Sequence, residues 1–133
     1  MLTKLESAVL EALLAGDHPV LVGLRAQVPL LAVKAREVSS AGCFTEFTIA
    51  DGGGRAPVSS ERLVFGDVQA TIPGLKLGAG FVLYVNKGLL HLLEGYTFDE
   101  PWPESTESFT LAYADPARRK VLATLDSLPN LPA

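Results

Sequence analysis

The first predicted helix follows from a stripe of apolar residues that recur every three or four positions: Leu5, Val9, Leu10, Leu13 and Leu14. This spacing places them on one face of a helix, and the width of the stripe predicts packing against a large surface. Thr3 and Glu6 have the spacing of a capping box, which marks the start of the helix. Gly16 is suited to end it, and Pro19 begins a second, short helix that extends to about Gln27.

After residue 30 apolar and polar residues alternate, and this period of two indicates strands. The strands are predicted at residues 31–36, 43–50, 64–72, 81–85, 89–96 and 109–113. Asn86-Lys87-Gly88 joins the fourth and fifth strands as a hairpin, with Gly88 in the left-handed position of a three-residue loop. Both faces of this hairpin are apolar. We therefore expect it to be central in a sheet covered on both sides, or to meet another subunit with one face.

A third helix is predicted near the end of the sequence. Asp115 is suited to cap the helix, and Pro116 is suited to its first position. Apolar residues follow at helical spacing: Val121, Leu122, Leu125 and Leu128. The order of elements predicts an α+β fold with N-terminal helices, an antiparallel sheet of about five or six strands around the central hairpin, and a C-terminal helix. We find no internal repeat and no linker, and the 133 residues fit a single domain over residues 1–133.

Composition and charge narrow the function classes. The chain has 11 Lys and Arg against 15 Asp and Glu, a formal net charge of −4, which argues against a nucleic-acid-binding protein. Cys43 is the only cysteine, which excludes a disulfide scaffold. One cysteine and two histidines at no short spacing predict no metal site, and the glycine-rich stretches fit no cofactor motif. No apolar run reaches the ~20 residues of a membrane span and no secretory signal is visible, so we expect a cytoplasmic protein without membrane contact.

The main candidate for a binding surface is the acidic loop, residues 94–107, which contains five carboxylates, three aromatic residues and no Lys or Arg. Aromatic side chains anchor interfaces and carboxylates steer basic partners, so this composition predicts recognition of a basic protein. The residues expected to bind it are Tyr96, Asp99, Glu100, Trp102 and Glu104. The alternative is that Trp102 folds back to cap the core and the carboxylates are only solvated.

A basic run begins the predicted C-terminal helix. Arg118, Arg119 and Lys120 lie in its first turn, where the helix dipole disfavours cations. We hypothesise that the acidic loop supplies the compensating negative charge.

A second candidate site is a pocket that contains Glu37, His91 and Glu94. Alternation in the first strand places Glu37 on the same face as the residues expected to point inward, Leu31, Val33 and Ala35. In the fifth strand it places Glu94 on the same face as Leu90 and Leu92. Two such acids in one cleft suit acid–base chemistry or ligand binding, whereas at strand ends they would only reach solvent or a basic neighbour. A nucleophilic pair of Cys43 and His91 is formally possible, but Cys43 is better explained as a small core residue.

Two stretches resemble sequence patterns of a family of small bacterial proteins that has no assigned activity. Residues 36–47, REVSSAGCFTEF, resemble the pattern R-E-x-T-G-x-G-F-F-T-x-F, from which Ser39, Ser40 and Cys43 depart. Residues 92–103, LLEGYTFDEPWP, are similar to the pattern L-E-G-[YF]-T-[YF]-x-x-x-W-P. The resemblance covers most of residues 31–113. It implies one small domain and supplies no catalytic residues.

The leading hypothesis is a non-catalytic interaction protein whose acidic loop engages a basic partner, in the manner of the immunity proteins that neutralise toxins. That comparison is an analogy of size and charge and not a physical argument. The alternative is a small-molecule-binding protein or small enzyme that uses the pocket of Glu37, His91 and Glu94. A third hypothesis is a homodimer formed through the second apolar face of the hairpin.

Overall fold

The computed structural model describes residues 1–50 and 54–117, which form an α+β fold of two helices and a six-stranded antiparallel sheet. The helices are α1 (Lys4–Leu13) and α2 (Pro19–Arg25), followed by a 3₁₀ turn at Val28–Leu30. The strands are β1 (Leu31–Val38), β2 (Gly42–Ile49), β3 (Arg62–Thr71), β4 (Ala79–Asn86), β5 (Leu89–Thr97) and β6 (Thr110–Tyr113). The predicted C-terminal helix, with Arg118, Arg119 and Lys120, lies outside the described residues. None of the helices within these ranges is long and apolar enough to cross a membrane.

Both helices begin where the sequence predicts. The Thr3 hydroxyl accepts a hydrogen bond from the Glu6 backbone N–H at 3.1 Å, and the Glu6 carboxylate accepts one from the Thr3 N–H at 2.8 Å. This reciprocal pair confirms the predicted capping box. Helix α2 starts at Pro19, with the His18 ring accepting a hydrogen bond from the Val20 N–H at 3.1 Å.

The predicted hairpin of β4 and β5 is central in the sheet, whose strand order is β1-β2-β5-β4-β3-β6. Its loop is shorter than predicted. Asn86 pairs with Leu89, which leaves Lys87 and Gly88 as a two-residue loop with φ values of 52° and 78°. Two successive residues with positive φ are the signature of a type I′ turn, whose twist matches that of the strands.

The core lies on one side of the sheet, which we call the inner face. Apolar side chains from α1 and α2 pack there against alternate residues of the strands, including Phe65, Phe81 and Leu83. Within the described ranges no helix covers the opposite side, which we call the open face. The prediction that the hairpin is covered on both sides is therefore not met by these residues, since Val82 and Leu92 are only half-buried there.

Two β-bulges decide which side chains point inward. In β1 the register shifts between Val33 and Ala35, so Arg36 pairs with the inward-facing Thr45 while Glu37 pairs with Phe44 on the open face. The expectation that Glu37 faces inward is therefore wrong, because one extra residue reverses the alternation of a strand.

A similar shift in β5 leaves His91 without a cross-strand partner. Leu90 pairs with Val85 and Leu92 pairs with Tyr84. The shift turns Leu90 inward and Leu92 outward, so the two leucines do not share a face. Glu94 lies on the same face as Leu92, which is the open face.

A buried glutamine ties the second helix to the hairpin. The Gln27 amide donates to the carbonyl oxygens of Gly54 at 2.9 Å and Gly88 at 2.7 Å, and it accepts from the Leu90 N–H at 2.9 Å. Two of these contacts satisfy backbone groups of the buried residues Gly88 and Leu90, where an unpaired polar group is costly.

Candidate functional site

A cleft of about 350 Å³ opens on the inner face where the helix layer ends. It lies between the start of α1, the neighbouring ends of β1 and β2, and the loop that contains Trp102. Its apolar lining comes from Leu5, Val38, Phe81, Leu93, Trp102 and Pro103, and its polar lining includes Glu6, Arg36, Thr45 and Glu104. Small residues, Cys43 and Gly95, line it as well.

The polar end of the cleft is an ion pair between Glu6 and Arg36. The Glu6 carboxylate accepts hydrogen bonds from Arg36 Nε at 3.0 Å and Nη2 at 2.6 Å. It also accepts from the buried Thr45 hydroxyl at 2.5 Å and from the Thr3 N–H at 2.8 Å. The Glu6 side chain is only 9% exposed, whereas that of Arg36 is 31% exposed. Four donors therefore saturate one carboxylate, which holds Arg36 in a fixed orientation.

The pKa shifts in the cleft follow from these contacts. Burial raises the pKa of Glu6, but the hydrogen bonds from Arg36, Thr45 and Thr3 outweigh that effect, and the pKa lies below its usual value. The hydrogen bond to Glu6 raises the pKa of Arg36. Burial raises the pKa of the Cys43 thiol. At neutral pH the cleft therefore contains a charged pair and a protonated, unreactive thiol.

Trp102 lines the cleft and packs on the core. Its ring meets Phe81 edge to face, with the ring centroids 6.3 Å apart, and its backbone N–H donates to the Ser40 carbonyl at 3.1 Å. It lies so close over Gly95 that a Cβ there would be 2.5 Å from the indole. Of the two alternatives for Trp102, the structure shows the one in which it caps the core.

Glu100 is engaged within the protein. Its two carboxylate oxygens accept hydrogen bonds from the backbone N–H groups of Lys76 at 2.9 Å and Leu77 at 3.0 Å. These bonds lower its pKa. The Thr97 hydroxyl donates to the Glu100 carbonyl, and the Thr97 backbone N–H donates to the Ala41 carbonyl at 3.0 Å. The acidic loop is thus fastened at both sides, to the β3–β4 connection and to the β1–β2 turn.

The remaining residues of the acidic loop divide between the two sides of the sheet. Tyr96 and Phe98 contact each other edge to face on the open face, with centroids 5.4 Å apart. Asp99 is exposed beside them, with a φ of 58°. Glu104 is exposed and lies at the rim of the cleft. The five residues predicted to bind a partner therefore do not form one surface.

The open face combines aromatic side chains with carboxylates. Glu37, Phe44 and Glu94 lie side by side on β1, β2 and β5. Phe44 is 38% exposed and Phe98 is 39% exposed. The Tyr84 hydroxyl donates to the Glu94 carboxylate at 2.8 Å, and this hydrogen bond raises the pKa of Tyr84. Around Phe44 the open face is therefore acidic and partly aromatic, while the charge of Arg62 lies near Tyr84.

The structure does not assemble the predicted pocket of Glu37, His91 and Glu94. Glu37 and Glu94 flank Phe44 in one row of the sheet, two strand spacings or ~10 Å apart. His91 lines a separate cavity with Tyr84 and others, to which neither glutamate contributes. His91 is exposed while Cys43 is buried on the inner face, so they do not meet as a nucleophilic pair. Among the described residues no group of three or more His, Cys, Asp or Glu is placed to hold a metal ion.

The ion pair of the cleft is not predicted from the sequence, in which Glu6 is expected only in a capping box and neither Arg36 nor Thr45 is a candidate site residue. One signal was present: Glu6 precedes Leu10 by four residues and Leu13 by seven, so it lies within the apolar stripe of α1. A carboxylate in that stripe needs a partner across the core. The partner could not be named, because the bulge in β1 decides that Arg36 points inward.

Comparisons with known proteins add no family to this picture. Comparing the chain with protein-family models, with curated proteins and with solved structures gave no significant match. The resemblance to the family of small bacterial proteins stays a prediction.

Proposed function

We propose that the protein is a non-catalytic interaction protein that binds a basic protein partner through the open face of its sheet. One observation carries this proposal: exposed aromatic rings lie among carboxylates on a sheet face that the described residues leave uncovered. Aromatic side chains contribute most of the binding energy at many interfaces, and carboxylates beside them favour a positively charged partner.

The charge of the open face supports a basic partner. Glu37, Glu94 and Asp99 form no ion pair within the described residues, while Glu46 is paired with Lys34 at 3.5 Å. Two copies that met through the region around Phe44 would bring like charges together, which disfavours a homodimer centred there. A protein with exposed Lys or Arg instead satisfies the carboxylates and covers Phe44 and Phe98.

The proposal changes which residues of the acidic loop are expected to act. Tyr96 belongs to the open face, Asp99 is exposed next to Phe98 in the chain, and both remain in the binding surface. Trp102 and Glu100 hold the loop in place, so their substitution would mix an effect on binding with an effect on structure. Variants for a binding test are therefore better chosen on the open face.

The test compares two variants with the same change in charge. The first carries Glu37→Gln, Glu94→Gln and Asp99→Asn, which keep side-chain shape, and Asn tolerates the positive φ of residue 99. The control carries Glu11→Gln, Asp17→Asn and Glu61→Gln, exposed positions outside the open face. Each immobilised protein is used to capture partners from the native cell lysate, after melting curves have shown that the variants fold.

The expected result is a basic protein that binds the wild type and the control but not the open-face variant. It should be released at about 1 M salt, where the Debye length falls to about 3 Å. A further variant with Phe44→Ala and Phe98→Ala should also fail to bind. Equal retention by the open-face variant, or no specific retention by the wild type, would contradict the proposal.

Light scattering on the isolated protein tests the homodimer: a monomer at micromolar concentration excludes it.

A further inference from the structure

The cleft on the inner face has the size and shape of a site for a small molecule. Its volume of about 350 Å³ is near the lower end of ligand pockets, which begin at about 300 Å³. Cys43 places little side chain along one wall of this space, and Gly95 allows the Trp102 and Phe81 rings to pack closely over it as apolar walls. A flat apolar body fits between such walls better than a polar one.

The charges of the cleft favour an uncharged occupant. Glu6 and Arg36 neutralise each other through two hydrogen bonds. Glu104 adds a negative charge at the rim, which disfavours an anion. A cation meets no free carboxylate in the interior of the cleft, because all the acceptor positions of Glu6 are used by donors from the protein and Glu104 lies only at the exposed rim.

Arg36 supplies a hydrogen-bond donor that is already oriented. Its Nε binds Glu6, and its Nη2 binds both Glu6 and the Met1 carbonyl, the latter at 2.9 Å. Its Nη1 has no partner among the described residues. Because Glu6 fixes the guanidinium, an acceptor on a ligand could bind Nη1 with little further loss of side-chain freedom.

We propose that the cleft binds a small, uncharged, mainly apolar molecule that carries one hydrogen-bond acceptor. The apolar body lies against Trp102 and Phe81, and the acceptor binds Arg36 Nη1. No chemical step is implied, because Glu6 is saturated and Cys43 is buried as a thiol. The site is separate from the proposed partner surface, since the cleft and the open face lie on opposite sides of the sheet.

The test uses three probes that share one aromatic ring: acetophenone, which is uncharged with one acceptor, benzoate as the anion, and benzylamine as the cation. Each is titrated into the ¹⁵N-labelled full chain and followed by NMR. Trp102 is the only tryptophan, so its indole N–H signal is assigned without ambiguity. Acetophenone should shift the signals of Trp102 and Gly95 in a saturable way and bind at least about tenfold more tightly than benzoate or benzylamine.

Two variants that fill the cleft provide the specificity control. Cys43→Phe narrows it from within, and Val38→Phe narrows it from a position that is 61% exposed, where a larger side chain does not threaten folding. Val22→Phe, on the exposed side of α2, is the matched control. Both cleft variants should lose acetophenone binding about tenfold or more, and the control should retain it.

Three results would overturn the inference: no saturable shift at Trp102, tighter binding of a charged probe, or unchanged affinity in Val38→Phe. The open-face variant with Glu37→Gln, Glu94→Gln and Asp99→Asn should bind acetophenone like the wild type. Failure of the cleft inference therefore leaves the proposed partner surface untouched, and the reverse also holds.

Discussion

Replacing Glu6 by Ala tests how much the ion pair of the cleft contributes to stability. The substitution removes the acceptor of the buried Thr45 hydroxyl, and an unpaired buried hydroxyl costs about 1–3 kcal/mol. It also removes the ion pair with Arg36, which we count as only about 1 kcal/mol because Arg36 is partly solvated. We therefore expect Glu6→Ala to lower the free energy of unfolding by about 3 kcal/mol at pH 7.

The assay is urea unfolding followed by Trp102 fluorescence and by circular dichroism. For a urea dependence of about 2 kcal/mol per molar, the loss corresponds to a midpoint about 1.5 M lower. Glu11→Ala is the matched control on the same helix, since Glu11 is exposed. Its effect should stay within about 0.5 kcal/mol.

The pH dependence gives an independent check of the same reasoning. The pKa of Glu6 is lower in the folded protein than the ordinary value of 4.5, so the unfolded chain binds the proton more readily. The stability that the charged Glu6 contributes is thus present above about pH 4.5 and is lost as the pH falls through its folded pKa. The difference between wild type and Glu6→Ala should narrow below that pH. A loss no larger than that of Glu11→Ala, or a difference that grows in acid, would refute the argument.

Two further substitutions test contacts that hold the site in place. Gly95→Ala puts a methyl group 2.5 Å from the Trp102 indole and should destabilise the protein by about 1–3 kcal/mol, with a change in tryptophan fluorescence. Its control is Gly54→Ala, where nothing lies within 4 Å and the effect should be near neutral. Equal melting temperatures of the two variants would contradict the close packing of Trp102 on Gly95. Gln27→Leu leaves the buried Leu90 N–H without its partner, while the Gly88 carbonyl keeps the Ala56 N–H, and it should lower the free energy of unfolding by about 1–3 kcal/mol in urea titrations. Exposed Gln69→Leu is its control. Similar small losses in both variants would show that water replaces the amide.

Local sequence signals predicted the secondary structure well. The capping box of Thr3 and Glu6, the strand pattern after residue 30 and the turn at Gly88 all depend on neighbours a few residues apart, and such interactions are visible in the sequence. The α+β class and the central hairpin follow from the order of these elements.

The candidate sites were harder to predict, because side-chain direction depends on register. A bulge beside Val33 turns Arg36 inward and Glu37 outward, and a second bulge moves Glu94 to the open face. Neither bulge has a clear sequence signal, because the extra residue is defined only by the partner strand. The predicted pocket failed to assemble for this reason.

The sequence alone determined which of the described segments are helix or strand, the net negative charge, and the acidic, aromatic composition of residues 94–107. Only the tertiary structure decided that Trp102 folds onto Phe81, that Glu100 is held by backbone groups of another loop, and that Glu6 meets Arg36. The first set depends on local propensity and composition. The second depends on contacts between residues 21 to 30 positions apart, whose geometry is set by the packing of the whole sheet.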